Sequence, residues 1–254
     1  MNKLILATGS NLGYLNRMGN YLNSIERNSN FDSNYLVFLG DESLSLSKSL
    51  SNKNIDVVNV YHKDLEIIPS NSCLQHGEFL KSEQLDKTTN DNDVIFFTDG
   101  DIEIQRPMTD SELNQYRNFK DDEIYVGYNA SPTDTLFDEA IRLGLTHYKS
   151  DVLKNDLKNI KVYNTGVLAM NKKTWIKLKN QFVSYYPEVD KSFRHYAKQQ
   201  WLLSLLFTIN NYKIYEMPYD IHNHRHYPSP IGTTQDQNGT VYFNNKIVLF
   251  KHKW

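Results

Sequence analysis

Asp93-Val-Ile-Phe-Phe-Thr-Asp-Gly-Asp101 is the stretch on which the reading of this chain turns. Val94 to Phe97 are uninterrupted apolar residues and Thr98 extends the run, the pattern of a strand covered on both faces rather than one. Asp99-Gly100-Asp101 follows where that strand ends. In open α/β sheets ligands bind beyond the carboxyl ends of the strands, so two carboxylates emerging there face the expected site. Residues i and i+2 of an extended backbone point the same way, and Gly100 between them lets backbone and ligand approach closely. Asp99 and Asp101 together offer oxygen ligands to one side of Mg²⁺ or Mn²⁺ and leave positions for phosphate and water. An acidic turn closing a strand is the plain structural alternative.

Outward from this strand, short β-rich runs recur at Leu4 to Ala7, Tyr35 to Leu39, Ile55 to Tyr61, Ile124 to Tyr128, Gly166 to Met170 and Tyr212 to Met217. Between them, Tyr14 to Ile25, Gln75 to Leu85, Asp134 to Leu143 and Tyr196 to Ile209 carry apolar residues at helical spacing. Alternation of this kind predicts an α/β fold with a mainly parallel central sheet flanked by helices. Val241-Tyr-Phe243 and Ile247-Val-Leu-Phe250 flank Asn244-Asn245-Lys246, a hairpin expected to close the chain, because Asn tolerates positive φ. Residues His222 to Asn238 read as a long irregular loop able to close over a ligand, with His222, His224 and His226 on its surface. No linker divides the 254 residues, so they are taken as one domain, a nucleotide-binding half over 1–105 and an acceptor half over 106–254.

A net charge of −2 gives no basic footprint for nucleic acid. The single Cys73 excludes an intrachain disulfide framework and a cysteine zinc cluster. No apolar run is long enough to span a bilayer, and Met1-Asn-Lys-Leu-Ile-Leu-Ala7 lacks the core of a secretory signal, so a cytoplasmic protein is expected.

The strand with Asp99-Gly100-Asp101, followed by Ile102-Glu103-Ile104 and Pro107, resembles the Asp-x-Asp segment of GT-A glycosyltransferases, most nearly the family-8-like group that includes glycogenin and bacterial galactosyltransferases. Tyr163-Asn164-Thr165-Gly166-Val167 is similar to that group's Asn-x-Gly-Val strand, and Met217-Pro218 to Asn223 to its Leu-Pro-x-x-x-Asn stretch. Phe250-Lys251-His252-Lys253-Trp254 resembles the C-terminal segment whose His completes the metal shell and whose Lys reaches the diphosphate, although here the segment is compressed. The resemblance implies a nucleotide-sugar donor, by default a UDP-sugar, contacted by Thr8, Gly9 and Tyr14 in the first loop and by Lys81, Asp99, Gly100 and Lys253. It further implies a metal shell of Asp99, Asp101 and His252, and a sugar and acceptor pocket lined by Asn164 and the Gln199-Gln200 pair. The acceptor would be a glycan, a protein or a lipid-linked hydroxyl.

Many relatives carry Asp-Gln where this chain has Gln199-Gln200. An amide cannot serve as a general base, which disfavours inversion through Gln199 and favours retention, where the departing diphosphate can take the acceptor proton. An imidazole added to two carboxylates shifts preference toward Mn²⁺, His252 being the first candidate and His222, His224 and His226 its competitors.

Other chemistries fit less well. Asp-x-Asp phosphatases of the haloacid dehalogenase type want Thr or Val where Glu103 stands and a later Gly-Asp-x-x-x-Asp, which is missing. Nucleotidyl transfer needs a Gly-rich, Arg-containing loop that does not follow Leu6, and a glycoside hydrolase needs opposed carboxylates rather than two on one strand end. A binding protein that kept the site without turnover stays open.

Overall fold

The computed structural model describes residues 1–39, 50–51, 53–60, 89–127, 135–142, 157–192, 198–224 and 230–252. β1 (Leu4–Asn11), β2 (Ser33–Leu39), β3 (Asp56–Val60), β4 (Val94–Thr98), β6 (Glu123–Gly127), β7 (Asn164–Asn171) and β8 (Lys213–Glu216) form one seven-stranded sheet in the order β3-β2-β1-β4-β7-β6-β8. All are parallel except β7, which runs against both neighbours. β1 is the switch point, with β2 on one side and β4 on the other. The crevice beyond its carboxyl end is therefore the place where such a sheet receives a ligand.

β4 lies at the centre of the sheet and is buried along its whole length. Ile95 and Phe97 belong to the core on one face, with Met170, Trp175 and Trp201. Val94 and Phe96 belong to the other face, with Leu4, Leu6 and Phe250. Phe96 meets Phe31 and Tyr116 edge-on at ring separations of 5.2 and 4.9 Å. Such pairs add about 0.5–1.5 kcal/mol each beyond the area they bury. Burial on both faces is the reason this run reads as uninterrupted apolar sequence.

Among the described residues six helices accompany the sheet, and they follow the expected apolar periodicity only in part. Tyr14 to Ile25 is not one helix but α1 (Leu12–Leu15) and α2 (Gly19–Asn28). The chain tightens between them through Arg17 N–H to Tyr14 C=O and Met18 N–H to Leu15 C=O bonds, and Met18 is buried below Gly100. α4 (Leu136–Arg142) and α6 (Lys198–Ile209) fall within their expected ranges, while Gln75 to Leu85 lies outside the described residues. Two helices escaped the sequence reading: α3 (Asp110–Arg117), opened by a Thr109–Glu112 capping box, and the long α5 (Lys172–Ser192).

The C-terminal part departs further from expectation. Residues 222–238 are not one irregular loop, since they contain β9 (His222–His224) and β10 (Thr233–Gln235), with 225–229 outside the described residues. β11 (Val241–Phe243) and β12 (Lys246–Ile247) form the expected hairpin, with Asn244 and Asn245 at φ 47° and 65°. This hairpin joins β10 and does not close the chain. Phe250 leaves it for β13 (Phe250–His252), the middle strand of a small sheet with β5 (Ile102–Ile104) and β9. His252 pairs with Ile102, which directly follows Asp101. Among the described residues no helix is long and apolar enough to cross a membrane.

Candidate active site

Beyond the end of β4 the chain makes a tight turn, with Ile102 N–H donating to Asp99 C=O, and the turn is held to β7 by the Asp99 N–H bond of 2.8 Å to Gly166 C=O. A side chain inside this turn would press on its neighbours. A Cβ on Gly100 would lie 2.9 Å from both the Met18 and the Tyr14 side chains. Tyr14 thus packs against the acidic turn. Burial, and then the Asp101 and Asp99 charges, raise its pKa, so its phenol remains a hydrogen-bond donor at neutral pH.

β13 carries His252 to the two carboxylates. Its buried Nε2 stands 3.3 Å from Asp101 Oδ1 and 3.7 Å from Asp99 Oδ2. One ligand atom from each of the three residues lies within 4.8 Å of the others. His252 Nε2 has no hydrogen-bond partner among the described residues, which suits a nitrogen reserved for an ion. Two carboxylates with one imidazole are a donor set appropriate to Mn²⁺ or a similar first-row ion, so these residues fit the implied metal.

Two glycines make room for the imidazoles. A Cβ on Gly166 would come 2.3 Å from His252 Cε1, and one on Gly127 would come 2.7 Å from His222 Nδ1 and Cε1. His222 is wholly buried, a correction to the expectation that it lies exposed on a loop. Its Nε2 is 3.2 Å from His252 Nδ1, and the His224 ring packs edge-on against His252 at 4.3 Å. Burial, followed by the neighbouring His252 and His224 rings, holds the His222 pKa well below the usual imidazole value. His226 lies outside the described residues.

Asn164, at the start of β7, accepts the Gly166 N–H on its Oδ1 at 2.9 Å. Because Gly166 also touches Asp99 and His252, Asn164 belongs to the same cluster. α6 is tied to this strand entrance by the Tyr163 N–H bond to Ser204 Oγ. In its first turn Gln199 is buried, and its Oε1 has no hydrogen-bond partner among the described residues.

The remaining expected contacts are arranged differently. β1 continues to Asn11, so Thr8 and Gly9 lie within the strand rather than in a loop after it. The Thr8 hydroxyl donates to Thr98 C=O at 2.7 Å, and Thr98 Oγ1 pairs with Tyr21 Oη at the same distance. Thr8 thereby fastens β1 to β4 below the acidic turn. Lys81 and Lys253 lie outside the described residues. Lys251, which sequence reading left without a role, donates to Glu103 Oε2 and to Gly239 C=O, both at 2.9 Å. With Arg17, Asn20, Tyr21, Gly100 and Asp101 it borders a cavity of about 230 Å³ beside the carboxylates.

A mixed sheet with one reversed strand, an acidic turn after the strand next to the switch point, and a late strand returning to that turn make up an α/β fold of the GT-A type. Among solved structures, the chain is similar to the galactosyltransferase LgtC in complex with donor and acceptor sugar analogues, at a TM-score of 0.57 and 16% identity over 98% of this chain and 86% of that one. An active-site mutant of LgtC, glutamine changed to glutamate, matches at a TM-score of 0.54 and 15% identity over the same shares of the two chains. The glycosyltransferase GlyE of Streptococcus pneumoniae matches at 0.51 and 14% identity, over 87% of this chain and 46% of GlyE. At these identities the likeness is one of fold. No family model and no curated protein sequence matches the chain.

Proposed function

We propose that this protein is a glycosyltransferase that moves a sugar from a nucleotide-sugar donor to a hydroxyl acceptor, with a divalent ion held by Asp99, Asp101 and His252. The observation that carries the reading is the convergence of these three side chains, from two sheets, on one point at the switch-point crevice of a GT-A fold. A bound ion there supplies Lewis-acid stabilisation to the diphosphate leaving group.

The chain's own residues do the rest. Asp99 and Asp101 set the charge of the site, and the Tyr14 phenol, protonated beside them, is a donor for a phosphate or ribose oxygen. Lys81 and Lys253 are assigned to the diphosphate as fixed positive charges. The Asn164 amide and the Gln199 and Gln200 side chains orient sugar hydroxyls, so that the acceptor meets the anomeric carbon at attack distance. Gln199 Oε1, buried without a hydrogen-bond partner among the described residues, is the acceptor best suited to a sugar hydroxyl. Neither glutamine can remove a proton, which supports transfer with retention. We assign a hexose, UDP as the carrier, Mn²⁺ as the ion, and a glycan, protein or lipid-linked hydroxyl as the acceptor.

The test is calorimetric titration of UDP, with GDP as comparator, with and without Mn²⁺, on the wild type and Asp101→Asn. Metal-dependent binding of UDP, lost in Asp101→Asn, together with slow Mn²⁺-dependent hydrolysis of a UDP-hexose, is the expected result. Binding that ignores both the ion and the substitution refutes the metal-centred reading. Metal-dependent binding with no turnover of any UDP-sugar would instead mark a binding protein.

A further inference from the structure

We infer that His222 is a positioning residue for the metal site, accepting a hydrogen bond from His252 Nδ1–H and so keeping the His252 Nε2 lone pair directed at Asp99 and Asp101. This inference rests on the metal reading above and adds a residue to it.

The argument is one of hydrogen count. His252 Nε2 faces the two carboxylates, at 3.3 and 3.7 Å, and His252 Nδ1 faces His222 Nε2 at 3.2 Å. A neutral imidazole carries one N–H, and a metal-bound nitrogen has to be the one without it. The hydrogen of a metal-bound His252 therefore sits on Nδ1, and the Nδ1 to Nε2 contact is favourable only if His222 Nε2 accepts. Were His222 to donate instead, the His252 hydrogen would sit on Nε2 and block coordination. The other ring nitrogen of His222 lies against Gly127, where a Cβ would come within 2.7 Å, and has no hydrogen-bond partner among the described residues. Among the described residues, the contact with His252 is thus the one that selects the His222 tautomer. Metal-ligating histidines commonly hand their second N–H to an acceptor that fixes ring and tautomer, and losing that acceptor costs about 10–100-fold in metal affinity.

Strand pairing and burial also hold the two rings beside each other. β9 and β13 pair in parallel, His222 opposite Phe250 and His224 opposite His252, so His222 and His252 are diagonal neighbours across two adjacent strands. Both are buried, at 0% and 3% exposure, and the rings occupy space that a side chain at Gly127 or Gly166 would fill.

The experiment titrates Mn²⁺ alone into the full-length wild type, His222→Gln and His222→Leu, reading free ion by electron paramagnetic resonance. Gln keeps an acceptor near the place of Nε2, whereas Leu keeps volume without it. The expected result is a Mn²⁺ dissociation constant within about threefold of wild type for Gln and weaker by about 10–100-fold for Leu. Equal weakening in both variants, or none in Leu, overturns the inference. A second readout needs no substitution: ¹⁵N-histidine wild type with Zn²⁺ as a diamagnetic probe should show a protonated His252 Nδ1 and an unprotonated His222 Nε2. The reverse assignment overturns the inference even if the Leu variant does not fold. Failure of the wild type to bind either ion would refute the metal reading itself, whereas wild-type binding that Leu leaves unchanged removes only the role of His222.

Discussion

Gly166→Ala tests the assembly of the site more directly than removing a ligand, because it leaves every candidate functional group in place. The added methyl would sit 2.3 Å from His252 Cε1, 2.8 Å from its Nδ1 and 3.0 Å from Asn164 Oδ1. The first contact is roughly 1.2 Å inside the ~3.5 Å optimum of a carbon pair, so something has to move. On the β4 side the backbone has little freedom, since β4 pairs with β7 up to Val167 and Gly166 C=O holds Asp99, although toward β6 the register shifts between Val126 and Gly127. The ring must yield, and it is enclosed by His222 and His224. Overpacking of this kind costs about 1–3 kcal/mol in folding stability. Displacing the ring should also break the convergence of Nε2 with the carboxylates and weaken Mn²⁺ binding by at least about 10-fold. Urea unfolding of the metal-free protein measures the first quantity and Mn²⁺ titration the second. A Gly166→Ala protein with wild-type stability and wild-type Mn²⁺ affinity would show that His252 is not held as described.

Gly19→Ala is the matching opposite case, because a Cβ there meets nothing within 4 Å in the first turn of α2; it should raise stability by about 0.4–1 kcal/mol in the same urea assay, and a loss would contradict the open space. Thr109→Ala removes half of the capping box of α3 and should cost about 0.5–2 kcal/mol, read as a lower urea midpoint with unchanged slope. At Asn245, whose φ is 65°, Gly should be tolerated while Val lowers the melting temperature, since the left-handed conformation costs a residue with a Cβ about 1–2 kcal/mol. Glu112 predicts a pH dependence: burial pushes its carboxyl up, but the Arg106 guanidinium and the Thr109 N–H outweigh burial and hold the pKa below its ordinary 4.5. A depressed folded-state value means stability that is present above pH 4.5 and lost as pH falls through the folded pKa, so the advantage of wild type over Glu112→Gln should shrink on acidification below pH 4.5 and stay level from there to neutrality.

Local sequence determined the parts of this protein that depend on neighbours along the chain. Most strands of the large sheet were legible because burial on one or both faces leaves runs of apolar and β-branched residues, while the largely exposed edge strand β8 was legible from Ile214 and Tyr215. The acidic turn was legible because Asp99 and Asp101 adjoin such a run, and the hairpin because Asn244 and Asn245 are suited to positive φ. Other features depended on contacts that no local pattern records. α1 and α2 separate where Met18 meets Gly100, a residue far along the chain. α3 carried a readable signal in Thr109-x-x-Glu112, a capping box that points to a helix start. α5 was missed although its apolar residues pack on the sheet, because Lys172, Thr174 and Lys179 are buried among them and blur the stripe. The His222 reading failed for a similar reason. A His-Asn-His segment followed by His, Pro and Gly looks solvated until β13 returns from the chain end, pairs β9 and β5 together, and buries it. His252 and Asp101 are brought together by that same return, which pairs His252 with Ile102, the residue after Asp101, across a long stretch of chain. The sequence named the candidate ligands one at a time, and the pairing of β13 between β5 and β9 decided that they lie together.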